Sequence, residues 1–160
     1  MFRARSLSFL FLFFTLCTVS CKENAAPGKI TDDVIRTAPI PADRYGGDAY
    51  GMKKYVLVFL KRGPKRPADS TEAARLQRAH MANIRRLADE GTLVLAGPFL
   101  EDGDLRGIYL FDVPTVEEAR RLTESDPAVK AGSLLMELKS WYGSAALMAV
   151  PALHKKLQQE

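Results

Sequence analysis

From Lys53 onward the hydrophobic period switches back and forth between that of a strand and that of a helix, and the order of the switches leaves few folds open. Tyr55-Val56-Leu57-Val58-Phe59-Leu60 is a short unbroken apolar run rich in strand formers. Closed by Gly63-Pro64 and Pro67, it predicts a buried strand. A long helix follows. Asp69 can cap it with Glu72 three residues on, Leu76, His80, Ile84 and Leu87 recur on one face, and Gly91 ends it.

Thr92 to Ala96 predicts a second strand, halted by Gly97-Pro98. A loop containing Asp102-Gly103 leads to a third strand, Gly107 to Val113, so these two form a hairpin with an extended loop. Thr115-Val116-Glu117-Glu118 is a capping box, in which the Thr115 hydroxyl and the Glu118 carboxylate satisfy free amides at a helix start. That helix ends near Ser125. Asp126-Pro127 opens a further turn that closes at Gly132, and Leu134 to Tyr142 makes a fourth strand.

Strand, helix, strand, strand, helix, strand is the ferredoxin-like split arrangement, an α+β fold with a four-stranded antiparallel sheet. Both helices then lie on one face of the sheet. On the last strand Met136, Leu138 and Tyr142 alternate with Glu137, Lys139 and Trp141, so neither side is purely polar. A sheet with two partly apolar faces and helices on only one invites a second copy against the other, and a homodimer is expected. Residues 144–160 suggest short helical pieces ending in Lys155-Lys156, which pack on the partner subunit or fray.

The N-terminus reads as an address. Arg3 and Arg5 precede an apolar stretch from Leu7 through Val19, too short to span a bilayer as a helix, which needs about 20 residues. Residues 1–20 are therefore read as a signal peptide. Its end, Thr18-Val19-Ser20-Cys21, resembles the bacterial lipoprotein box, with Cys21 as the site of lipid attachment; Thr18 departs from the usual Leu, and ordinary cleavage after Ser20 stays open. Cys17, behind bulky Leu16, does not fit the lipidated position, and with Cys21 modified the mature chain keeps no thiol for a disulfide, a metal or nucleophilic catalysis. Lys22 in place of an Asp after Cys21 favours the outer membrane, with the domain facing the periplasm. Residues 21–51, broken by Pro27, Gly28, Pro39, Pro41, Gly46 and Gly47, read as anchor and flexible tether, leaving 52–143 as the folded domain.

Composition removes several function classes. At 160 residues and 47% hydrophobic, the chain can bury one core. Its formal charge is +4, and two of the basic residues leave with the signal, too even a balance for a nucleic-acid binder. Two histidines, one of them His154 beside Lys155-Lys156, do not make a zinc motif. The Gly-rich stretches lack phosphate-binding spacings, and there is no Gly-x-Ser-x-Gly elbow. No cofactor is expected.

Four segments closely resemble the YCII-related family in order and spacing: Ala79-His80-Met81-Ala82, Asp89 to Leu93, Ala96-Gly97-Pro98, and Asp126 to Gly132. The resemblance covers about residues 53–142. It implies a dimeric α+β barrel, similar in fold to muconolactone isomerases, and an active site with a His–Asp pair that maps to His80 and Asp126. One group of members eliminates hydrogen chloride from a chlorinated aromatic.

His80 has two readings: a general acid or base, since imidazole titrates near neutral pH, or a satisfied core histidine. The matching segments favour the first. Asp126 before Pro127 is a natural helix cap, and the same carboxylate beside an imidazole would fix its tautomer. Tyr109, Phe111, Trp141 and Tyr142 are assigned to the core or to the dimer face. The expected function is a cofactor-independent enzyme of the cell envelope, a lyase or isomerase that moves a proton on a small molecule through His80 and Asp126. The alternative is a tethered, non-catalytic dimer that binds a small ligand or an envelope protein.

Overall fold

The computed structural model describes residues 40–158. The signal, Cys21 and most of the expected tether lie outside these residues. The chain runs β1 (Met52–Arg62), α1 (Ser70–Asp89), β2 (Leu93–Pro98), β3 (Leu105–Phe111), α2 (Val116–Glu124), α3 (Pro127–Lys130), β4 (Leu134–Ser144) and α4 (Val150–Leu157). The sheet order is β2-β3-β1-β4 and every pairing is antiparallel, which is the ferredoxin-like arrangement expected from the sequence.

β1 takes an interior position because its unbroken apolar run needs cover on both faces. Val56, Val58 and Leu60 point to one face, where they pack with Leu87 of α1, Phe111 of β3 and Ala119 of α2. Tyr55 points to the other and packs with Val94 and Leu110.

The side-chain caps expected at Asp69 and Thr115 form at the helix starts. The Asp69 carboxylate accepts from the Glu72 amide at 2.9 Å, and Gly91, at φ +77°, lets the chain leave α1. The Thr115 hydroxyl accepts from the Glu118 amide at 3.1 Å. β2 ends at Gly97-Pro98 as expected, but it includes both residues, because it is an edge strand and Pro98 has no ladder hydrogen bond to give up. A Cβ on Gly107, opposite Pro98, would stand 2.6 Å from the Gly97 carbonyl oxygen, so only glycine lets β2 and β3 approach there.

Two segments differ from expectation. The C-terminal segment, for which the sequence left packing on a partner or fraying open, folds back on the chain's own sheet. A 3₁₀ turn at Ala145–Ala149 brings Leu147 and Met148 against Tyr55, Val94 and Leu110, and the Tyr55 hydroxyl donates to the Ser144 carbonyl at 3.0 Å. Order also begins before the expected end of the tether at residue 51. Ala42–Tyr45 forms a 3₁₀ turn, and the Asp48 carboxylate accepts from the amides of Tyr50 and Met52 at 2.9 and 3.1 Å and from the Tyr142 hydroxyl. Polar turn chemistry holds this stretch, and a hydrophobic period does not register it.

The second face remains partly open. Leu135 and Trp141, whose register partners Lys61 and Tyr55 share that face, are 50% and 40% exposed. No helix among the described residues is long and apolar enough to cross a membrane.

Candidate active site

His80 sits midway along α1, one turn after Leu76 and one before Ile84, so the apolar seam that docks the helix on the sheet also carries the imidazole inward. Asp126 ends the connection between α2 and α3. As the cap of α3 it must turn its carboxylate back toward the chain, and Oδ1 accepts the Ala128 amide at 2.8 Å. The other oxygen, Oδ2, is 2.8 Å from His80 Nδ1. Both residues singled out in the sequence are thus brought together across 46 positions of chain. His154, on α4, is exposed and remote from them in the chain.

A third side chain completes the cluster. Tyr109, which the sequence reading assigned to the core or dimer face, is indeed buried, and its hydroxyl donates to the same Asp126 Oδ2 at 2.8 Å. Its ring stacks beside His80 at 6.3 Å and meets Phe111 edge-on at 5.8 Å. The carboxylate of Asp126, fully buried, therefore receives donors from an imidazole, a phenol and a backbone amide.

These contacts set the protonation states. Burial pushes the Asp126 carboxyl up, but the hydrogen bond and charge of His80, with Tyr109 and the Ala128 amide, outweigh it and hold the carboxyl below its ordinary range. Burial, and then the adjacent carboxylate, pushes the Tyr109 phenol up, so it stays a donor. An ionised Asp126 at Nδ1 keeps a proton on that nitrogen, which leaves Nε2 on the opposite edge of the ring.

The ring is 13% exposed, and that exposure faces a cavity of about 390 Å³. Leu76 and Ile84 of α1, Gly97 and Pro98 of β2, and Tyr109 of β3 line it. Asp126 itself does not; it lies behind the imidazole. The arrangement provides a nitrogen that can accept or return a proton at an apolar cavity wall, with a buried anion to stabilise the charged ring.

A polar brace holds the Asp126 turn against α1. Asn83, buried on the helix seam, accepts from Arg86 at 2.9 Å and from Ser125 Oγ at 3.1 Å, and Ser125 immediately precedes Asp126. The seam expected from Leu76, His80, Ile84 and Leu87 did not include Asn83. A polar residue three positions after His80, on a face otherwise apolar, was the available signal. Among the described residues no group of three or more His, Cys, Asp or Glu side chains comes together as a metal site would require.

The sequence profile of the YCII-related domain matches residues 56–141. The chain belongs to the YCII-related domain family. Its YCII-related region runs from β1 into β4 and includes His80, Tyr109 and Asp126. The chain is similar to a solved structure, 5-chloro-2-hydroxyhydroquinone dehydrochlorinase (TftG) from Burkholderia phenoliruptrix AC1100 in complex with 2,5-dihydroxybenzoquinone. The two are 23% identical; the match covers 54% of this chain and 92% of that one, with a TM-score of 0.42. No curated protein matches this YCII-related chain.

Proposed function

We propose that this YCII-related protein is a cofactor-independent enzyme that moves a proton on a small molecule, by isomerisation or elimination. The observation that carries the proposal is the 2.8 Å contact between His80 Nδ1 and Asp126 Oδ2 at the wall of the cavity. Nε2 takes a proton from a carbon next to an electron-withdrawing group. The electron pair left behind either accepts a proton at another position, giving an isomer, or expels a leaving group such as halide, giving an alkene and the protonated imidazole. Asp126 stabilises that imidazolium and fixes the ring's tautomer, and Tyr109 holds Asp126. The neutral tautomer is restored when the ring returns the proton to product or solvent.

The test is turnover of small enolisable lactones and halogenated hydroquinones, followed by mass spectrometry and chloride release. Where the protein turns one over, His80→Gln and Asp126→Asn each lower kcat about 10²-fold or more, the usual weight of general acid–base catalysis. Unchanged kcat in His80→Gln contradicts the proposal.

Residues 1–21 support placement in the cell envelope, with Cys21 lipidated and the domain carried at the outer membrane toward the periplasm. The half-open second face of the sheet supports a homodimer, with a second copy covering Leu135 and Trp141. Detergent-phase partitioning checks the anchor: the wild-type chain enters the detergent phase and Cys21→Ser stays aqueous.

A further inference from the structure

The ionisable side chains that line the His80 cavity are Arg66, His80, Arg106 and Tyr109, the last kept neutral by burial and the neighbouring Asp126, and no carboxylate stands among them. Arg106 is presented by its backbone. In the β1–β3 ladder Leu60 pairs with Gly107 and Lys61 with Leu105, which leaves Arg106 as the extra residue of a bulge. Bulges re-aim a side chain off the regular pleat, and here the side chain goes to the cavity. Arg106 is also steadied. Its guanidinium donates to Asp102 at 2.9 Å and to the Gly103 carbonyl at 3.3 Å, on the loop that joins β2 to β3.

Asp102 does not neutralise this end of the cavity. The same carboxylate oxygen also binds Arg62 at 2.5 Å, so one exposed anion is shared between two guanidinium groups. Arg66, on the loop between β1 and α1, has no carboxylate within ion-pair distance among the described residues. The polar neutral groups of the lining are Gln77 and Ser133, and the rest is largely apolar. A cavity with apolar walls and an excess of guanidinium charge over carboxylate suits a ligand with a hydrophobic body and an anionic oxygen.

We infer that the His80 cavity takes a small ring-sized anion, a carboxylate or a phenolate, whose charged oxygens are held by Arg66 and Arg106 while its ring lies on the apolar wall. This names the substrate class of the site and rests on the cavity being the ligand site of the proposed function. The chemistry is consistent with proton transfer: guanidinium groups at the anionic oxygen withdraw electron density through it and stabilise the negative charge left when a neighbouring carbon loses its proton. Binding of the anion is an equilibrium property and does not require that His80 transfer a proton.

Binding separates the two claims. Benzoate, cyclohexanecarboxylate and 2-furoate are each compared with their neutral amides, by NMR chemical-shift titration of the full domain at constant ionic strength. The expected result is that at least one acid binds about ten-fold or more tightly than its amide, the weight of one charge-assisted hydrogen bond. Arg66→Gln, on an exposed loop, and Arg106→Gln reduce that ratio about three-fold or more, and His80→Gln leaves it in place. Equal binding of every acid and its amide, or no binding by any of them, overturns the inference. So does an undiminished ratio in Arg66→Gln and Arg106→Gln together. An acid preference that survives while His80→Gln leaves turnover unchanged keeps the anion site and removes the proton-transfer proposal.

Discussion

On one face of the sheet Leu87 and Ala119 of the two helices and Phe111 of β3 are fully buried between helices and sheet; on the other, Leu135 and Trp141 stay half exposed beyond the reach of Leu147 and Met148. The difference lies in how each face is closed. Two amphipathic helices, capped at Asp69 and Thr115, seal the first face and shut a polar cluster inside it. A buried carboxylate is tolerable only where donors replace water, and His80, Tyr109 and the Ala128 amide do so. The second face has a short C-terminal turn over one part, and its charged groups, Glu137 with Lys61 and Lys139, pair at the open surface and are not sealed inside.

The largest effect that would break this comparison is in the sealed core. Leu87→Ala removes a side chain with no exposure and is expected to cost about 2–5 kcal/mol in chemical denaturation. An effect below about 1 kcal/mol would mean that α1 is not docked as described.

Next comes the buried carboxylate. Asp126→Asn leaves donors poorly matched and is expected to cost about 1–3 kcal/mol at neutral pH. The sign with pH follows from the depressed carboxyl. Its stabilisation is fully present above the ordinary aspartate value of 3.8 and is lost as pH falls through the lower folded value. The stability gap between wild type and Asp126→Asn therefore narrows in acid, read from denaturation midpoints between about pH 6 and pH 2. A gap that widens on acidification contradicts the pairing.

The open face responds less. Met148→Ala, only partly buried, is expected to cost about 1 kcal/mol, well under Leu87→Ala in the same assay. Leu135→Asp, half exposed in one copy, is expected to change monomer stability by no more than about 0.5 kcal/mol. If a second copy covers this face, the same substitution shifts the mass measured by light scattering from dimer to monomer. A dimer unaffected by Leu135→Asp places the interface elsewhere.

The parts that were legible in the sequence are those written locally. The apolar run of β1 and the caps at Asp69, Thr115 and Asp126 depend on neighbours a few positions away, and they gave the element order and hence the sheet. His80 could be picked out as a polar break in a helical seam, and the family segments pointed to Asp126. Tyr109 was harder. An aromatic on a central strand looks the same whether its hydroxyl meets solvent, backbone or a carboxylate 17 positions on. Arg106 was invisible for a related reason, since a bulge is a property of two paired strands and not of either alone. The tail and the turn around Asp48 escaped because they are fixed by a few long-range contacts, Met148 with Tyr55 and Asp48 with Tyr142, which leave no periodic trace.

The central claim is that a buried Asp126 fixes the His80 tautomer and leaves Nε2 free for the cavity. Long-range proton–nitrogen correlation of the imidazoles tests it most directly, with His154→Gln supplying the assignment, since the chain has only two histidines. The account predicts that neutral His80 carries its proton on Nδ1 in the wild type and that Asp126→Asn abolishes this preference. A wild-type ring protonated on Nε2 when neutral would contradict it.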